Sequence, residues 1–241
     1  LDALPLFARA GRLDPVNFLI PLLMAQAAGD AGHYPLAQEQ LRKAQELAPR
    51  HPNVPRSQGI LAYAMGDTAT AVQQYQQAAA LNGRRYDIQR ELGWLCLDLS
   101  RHDLARAAFG QALDNAPTLP YLVGESGIAA LAAGGRAGAQ AAMARLQAIA
   151  PPDLPPGAQA SWAWLHLMLG DAATALRLAD PVAGLIAADP VTLDGPWETF
   201  LARSFHIDLA TIYLANDLPD KAQPLLASVA AALDRLQRQQ V

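Results

Sequence analysis

The sequence predicts an all-α fold of stacked helical hairpins, and three observations carry that expectation. The first is a period of 34 residues: Ala3, Ala37, Ala71, Ala105 and Ala139 stand that far apart. Phe7, Leu41, Tyr75, Phe109 and Met143 each follow by four residues, and Ala10, Ala44, Ala78, Ala112 and Leu146 by seven. The second is punctuation in the same register. Pro15, Pro49, Pro117 and Pro151 close the units, with Gly83 in the remaining place. Gly59, Gly93 and Gly127 stand twelve residues ahead of the alanines, with Ala25 in the first slot. The third is composition: 52% of the chain is hydrophobic but only 6% aromatic. An apolar fraction rich in Ala and Leu suits close helix packing and lacks the β-branched and aromatic bias of strands. Self-similarity at such a period marks a solenoid, in which each unit packs only on its neighbours.

The elements follow in order. A regular array spans 1–151: a half repeat over 1–15, then units at 18–51, 52–85, 86–119 and 120–151. Each unit reads as two amphipathic helices joined by a tight turn. In the unit 86–119 the first helix runs from Tyr86 to Leu99 and breaks at Ser100–His102. The second runs from Asp103, read as its N-cap, to Asn115, and Pro117 stops it. Equivalent breaks stand at Gly29–His33, Gly66-Asp67, Gly134-Gly135 and Gly170-Asp171, where Gly and Asp suit a chain reversal.

Residues 152–241 read as divergent helix pairs. A two-residue insertion within Pro151–Pro156 precedes the unit marked by Gly170-Asp171 and Ala175, and an insertion of 13 precedes the last unit, centred on Ala222. Asp180-Pro181 reads as a helix restart, and Asp194-Gly195-Pro196 opens a helix over 196–215. The final helix, Pro219 to Gln239, carries Leu225, Leu226, Val229, Leu233 and Leu236 as its apolar face and ends in polar residues, as a solenoid cap requires. The opening half repeat lacks a first helix, which predicts further repeats upstream in a parent protein. Its uncovered end is also a candidate contact for a homodimer.

These ladders resemble the tetratricopeptide repeat. Leu92-Gly93, Ala105, Phe109, Ala112 and Pro117 match the family pattern in unit three, with Gln89 and Cys96 where Trp and Tyr would stand. Unit two keeps Gly59, Ala71, Tyr75 and Ala78; unit four keeps Gly127, Ala139 and Pro151. The resemblance implies a right-handed α-solenoid of about six helix pairs, a half repeat at the start and a capping helix at the end. It further implies a ligand groove lined by the first helix of each pair. Carried onto this chain, the groove positions are Asn53, Arg56, Ser57, Ile60 and Tyr63, then Asp87, Arg90, Glu91, Trp94 and Leu97. Unit four contributes Tyr121, Gly124, Glu125, Ile128 and Leu131, and unit five Trp164.

Two roles stay open for the sharpest of these. Arg56 and Arg90 either meet a partner carboxylate or pair with Asp87 or Glu91. Trp94 and Trp164 either anchor a partner or pack between helices. Ile60 stands where the carboxylate-clamping members of the family carry Asn, and no lysine lines a first helix, so an extended peptide or amphipathic helix fits better than a clamped C-terminus.

Other chemistry is not visible. There is no phosphate-binding loop and no nucleophile elbow, and none of the five histidines forms an i, i+4 metal-binding pair. Cys96 reads as a small buried hydrophobe. Sixteen arginines against two lysines, with a net charge of −4 and no basic run, exclude the electrostatic footprint of a nucleic-acid binder. No apolar stretch is long enough to span a membrane. The expectation is a non-catalytic scaffold for a protein or peptide, without cofactor or metal. The alternatives are the repeat region of an exopolysaccharide export machine, and a recruiting or sensing arm of a larger enzyme or transcription regulator.

Overall fold

The computed structural model describes residues 4–149, 154–188 and 206–239. The chain divides into two compact units between Leu92 and Gly93. The first holds α1 (Leu4–Leu13), α2 (Leu19–Asp30), α3 (Tyr34–Leu47), α4 (Asn53–Ala64), α5 (Thr68–Leu81) and the opening turns of α6 (Tyr86–Asp98). The second holds the rest of α6, α7 (His102–Asn115), α8 (Pro120–Ala132), α9 (Arg136–Gln147), α10 (Pro156–Met168), α11 (Ala172–Ala188), α12 (206–214) and, as far as Gln237, α13 (Pro219–Gln239). The described residues contain no strand. Helices pack as sequential hairpins, α2 on α3 and α4 on α5 in the first unit, α8 on α9 and α10 on α11 in the second. The fold is an all-α repeat.

The ladders are the core. Ala37, Ala71, Ala105 and Ala139 are fully buried, as are Tyr75 and Phe109; Leu41 is buried and Met143 half-buried. The glycines explain how two aromatic rings fit. A Cβ at Gly59 would lie 2.8 Å from Tyr75 Cδ2, and one at Gly93 2.7 Å from Phe109 Cδ2. Each glycine on a first helix therefore makes the space its own hairpin's ring occupies. Where the first helix carries Ala25, the second carries the smaller Leu41, and both belong to one core cluster. At Gly127 the close neighbours are Ala142 and Leu165, so this glycine also admits α10.

The turns carry a ladder of their own. Gly32, Gly66, Ser100 and Gly134, 34 residues apart, all have positive φ (75°, 81°, 55° and 80°). The next such residues are Gly170 (98°), 36 residues on, and Asp217 (56°), 47 further. These steps are the period lengthened by the insertions of two and 13. A left-handed residue after a helix turns the chain while its N–H satisfies a terminal carbonyl. Asp67 and Asp171 then cap the following helices, each Oδ1 accepting from the N–H of Thr70 or Thr174 at 3.1 Å.

Three sequence expectations need correction. Asp103 is not an N-cap: Arg101 takes that position and Asp103 sits in the first turn of α7, accepting from Arg106 at 3.4 Å. Its charge there still complements the helix N-terminus. Asp180-Pro181 starts no helix, because α11 continues through Pro181. The Asp180 carboxylate is instead a tertiary staple, accepting from Tyr213 Oη at 3.0 Å and Lys221 Nζ at 2.8 Å. On α13, Ala222, Leu225 and Val229 form the buried stripe while Leu226 is 41% exposed. The side chains of Leu233 and Leu236, the start at Asp194–Pro196, Ala3 and Pro151 lie outside the described residues.

Candidate functional site

In the first unit, α4 and the start of α6 present successive first-helix faces. Asn53 and Arg56 project from the opening turns of α4, and Asp87 and Glu91 from those of α6. The Arg56 guanidinium donates through Nε to Glu91 Oε2 at 2.7 Å and through Nη2 to Glu91 Oε1 at 2.6 Å. Arg85, the residue before α6, donates through Nε to Asp87 Oδ1 at 2.7 Å and through Nη2 to Asp87 Oδ2, while its Nη1 donates to Asn53 Oδ1 at 3.1 Å. The Arg56–Glu91 fork and the Arg85–Asn53 bond thus tie α4 to α6, while the Arg85–Asp87 fork holds Arg85 in place. Bidentate Arg–carboxylate geometry is the stronger kind of ion pair and fixes both side chains.

Burial sets the electrostatics. The side chains of Arg56 and Glu91 are 27% and 12% exposed. Burial works against the Arg56 charge, but the hydrogen bonds and charge of Glu91 outweigh it and hold the guanidinium above its ordinary value. The hydrogen bonds from Arg85 hold the Asp87 carboxyl below the usual carboxylate range. Of the two roles open to Arg56, the structure shows the intramolecular one: Glu91 takes its fork. Ile60, Tyr63 and Arg90 are half-buried on the same faces.

In the second unit the expected positions separate. Trp94 is 7% exposed and meets the Phe109 ring edge-on at 5.6 Å and 88°. It is core, a correction to its placing in a groove, and its indole N–H has no acceptor among the described residues. Glu125 is likewise buried, at 1%. Tyr121 and Ile128 are half-buried against the α8–α10 core, and Trp164 against that of α10–α13. Gly124 permits close approach of α10, since a Cβ there would lie 2.5 Å from that of Ser161.

Sequence reasoning missed Arg85, the hub of the network, because it lies in a loop outside the inherited positions; the Arg84-Arg85 pair at the mouth of a helix was the available signal. It also missed Asp208, whose carboxyl burial pushes up to about 7. Burial likewise pushes the Cys96 thiol up to about 11, so little thiolate exists at neutral pH. Among the described residues no group of three His, Cys, Asp or Glu side chains could hold a metal ion, and no helix is long and apolar enough to cross a membrane.

The hairpins, the small-residue ladders and the first-helix faces define a helical-repeat protein. A tetratricopeptide repeat family model matches residues 56–120. The chain has the fold of tetratricopeptide repeat proteins. A repeat protein from Parabacteroides merdae shares its fold at a TM-score of 0.67 and 15% identity, covering 99% of this chain and 90% of that one. The type IV pilus biogenesis factor PilW aligns at 0.57 and 18% identity, covering 89% and 92%. PilF of Pseudomonas aeruginosa aligns at 0.56 and 18% identity, covering 91% of each. No curated protein matches the chain in sequence.

Proposed function

We propose that this chain is a non-catalytic scaffold that binds a peptide or helix of a protein partner on the first-helix faces of its repeats. The observation that carries this reading is the Asn53–Arg56–Arg85–Asp87–Glu91 network. It fixes polar side chains on adjacent repeats before any partner arrives, so little ordering on this side opposes binding. Arg56 spends two of its five N–H donors on Glu91 and is 27% exposed, leaving donors suited to carbonyl oxygens of a partner backbone. Ile60 and Tyr63 supply half-buried apolar surface beside it. A net charge of −4 argues for a protein partner over nucleic acid.

The test is affinity capture from lysate of the source organism, quantified by mass spectrometry, with an Arg85→Glu/Arg90→Glu chain as comparator. A partner kept by the natural chain and lost by the variant, at unchanged helicity, supports the reading once the purified partner binds in calorimetry. Equal recovery by both chains rejects this surface.

A further inference from the structure

Away from the network, α1, α2, α3 and the loop after α1 line an open pocket of about 440 Å³ in the first unit. Ligand pockets commonly span ~300–1,000 Å³. Phe7, Ile20, Pro21, Met24 and Leu47 line it, and Gln40 enters it from α3. Gln40 is 7% exposed, and its amide has no hydrogen-bond partner among the described residues. The side chain is buried as a whole, while its amide atoms still reach the space of the pocket. The third and fourth repeats carry the buried Ala108 and Ala142 in the same register. Gln74, one repeat on from Gln40, retains the amide, and its Oε1 is buried without a donor.

A primary amide offers donor and acceptor in one plane, the complement of a peptide group's C=O and N–H. A helix has used both along its interior, whereas an extended segment leaves them free. Charge narrows the occupant further. Arg12, Lys43, Asp14 and Glu46 stand around the cavity, so the two signs balance and neither an anion nor a cation is favoured. We infer that this cavity is a second binding site, which takes a bulky apolar side chain of an extended peptide segment while Gln40 pairs with that segment's backbone amide. The inference is independent of the first-helix surface.

The test titrates the full chain with N-acetyl-leucine N-methylamide and follows side-chain NMR signals. Saturable shifts are expected at the Gln40 amide and the Ile20 and Met24 methyls. Gln40→Met, which removes the amide and keeps its volume, is expected to weaken the probe about fivefold without lowering the thermal midpoint. Isoamyl alcohol, which has the same branched chain without a peptide group, is expected to bind about fivefold more weakly than the probe. No saturable shift below about 20 mM overturns the site. Equal binding by the variant, or by isoamyl alcohol, overturns the peptide assignment. Shifts that depend on protein concentration alone would make a second copy the occupant and overturn it as well.

Discussion

Gly93 and Phe109 divide between them a volume that Ala25 and Leu41 divide differently two repeats earlier. A methyl at Gly93 has nowhere to go, with the Phe109 ring 2.7 Å from its Cβ position. Gly93→Ala should therefore lower stability by about 1–3 kcal/mol in urea denaturation. Phe109→Leu in that background should recover part of the loss, a coupling that a double-mutant cycle reads directly. Glu91→Gln should cost about 1–3 kcal/mol in the same assay, because the Arg56 fork then keeps only a neutral acceptor. The core positions were legible in the sequence because repetition displays the same slot several times, and only a buried slot holds so narrow a range of residues. Trp94 was not legible. Its slot is filled by Ile60 and Ile128 in the flanking repeats, and those side chains are half-buried where Trp94 is buried.

At the scale of the element, the hairpin turns explain both the success and the limits of sequence reading. A turn residue with positive φ favours glycine, which three of the four regular turns supply; Ser100 is the exception. For a residue with a Cβ that conformation costs about 1–2 kcal/mol, partly offset by the extra freedom of glycine in the unfolded chain. Ser100→Gly should accordingly raise stability by about 0.5–1 kcal/mol, measurable as a higher urea midpoint at unchanged m. Helix starts were read less well where a local signal had a distant use. Asp180-Pro181 has the form of a cap, yet the Asp180 carboxylate bonds partners 33 and 41 residues away, information that no short window contains.

Across the whole molecule, titration should set where stability peaks. Asp87, Asp171 and Asp180 are held below their ordinary values, by Arg85, the Thr174 N–H and Lys221 respectively. Their contributions are present above the unfolded carboxylate value near 3.8 and are lost as pH falls through the depressed values. Asp208 has the opposite sign. Burial raises it from 3.8 to about 7, so its contribution is full below 3.8 and is lost as pH rises toward 7. Stability should peak on the acid side of neutrality and decline toward pH 7. Asp208→Asn should flatten that decline while leaving the acid limb in place, as urea midpoints across the pH range would show.

The two kinds of tie in this chain differ in what they would survive during evolution. Gly59 with Tyr75 and Gly93 with Phe109 each lie inside one hairpin, so duplicating or deleting a whole 34-residue module carries every such pairing along intact. Arg56 with Glu91 and Arg85 with Asn53 span 35 and 32 positions, bridging neighbouring modules. Recombination at a module boundary would transmit the fold unharmed and separate those charged partners. Such an array can lengthen freely while each rearrangement writes a new surface chemistry at the seam.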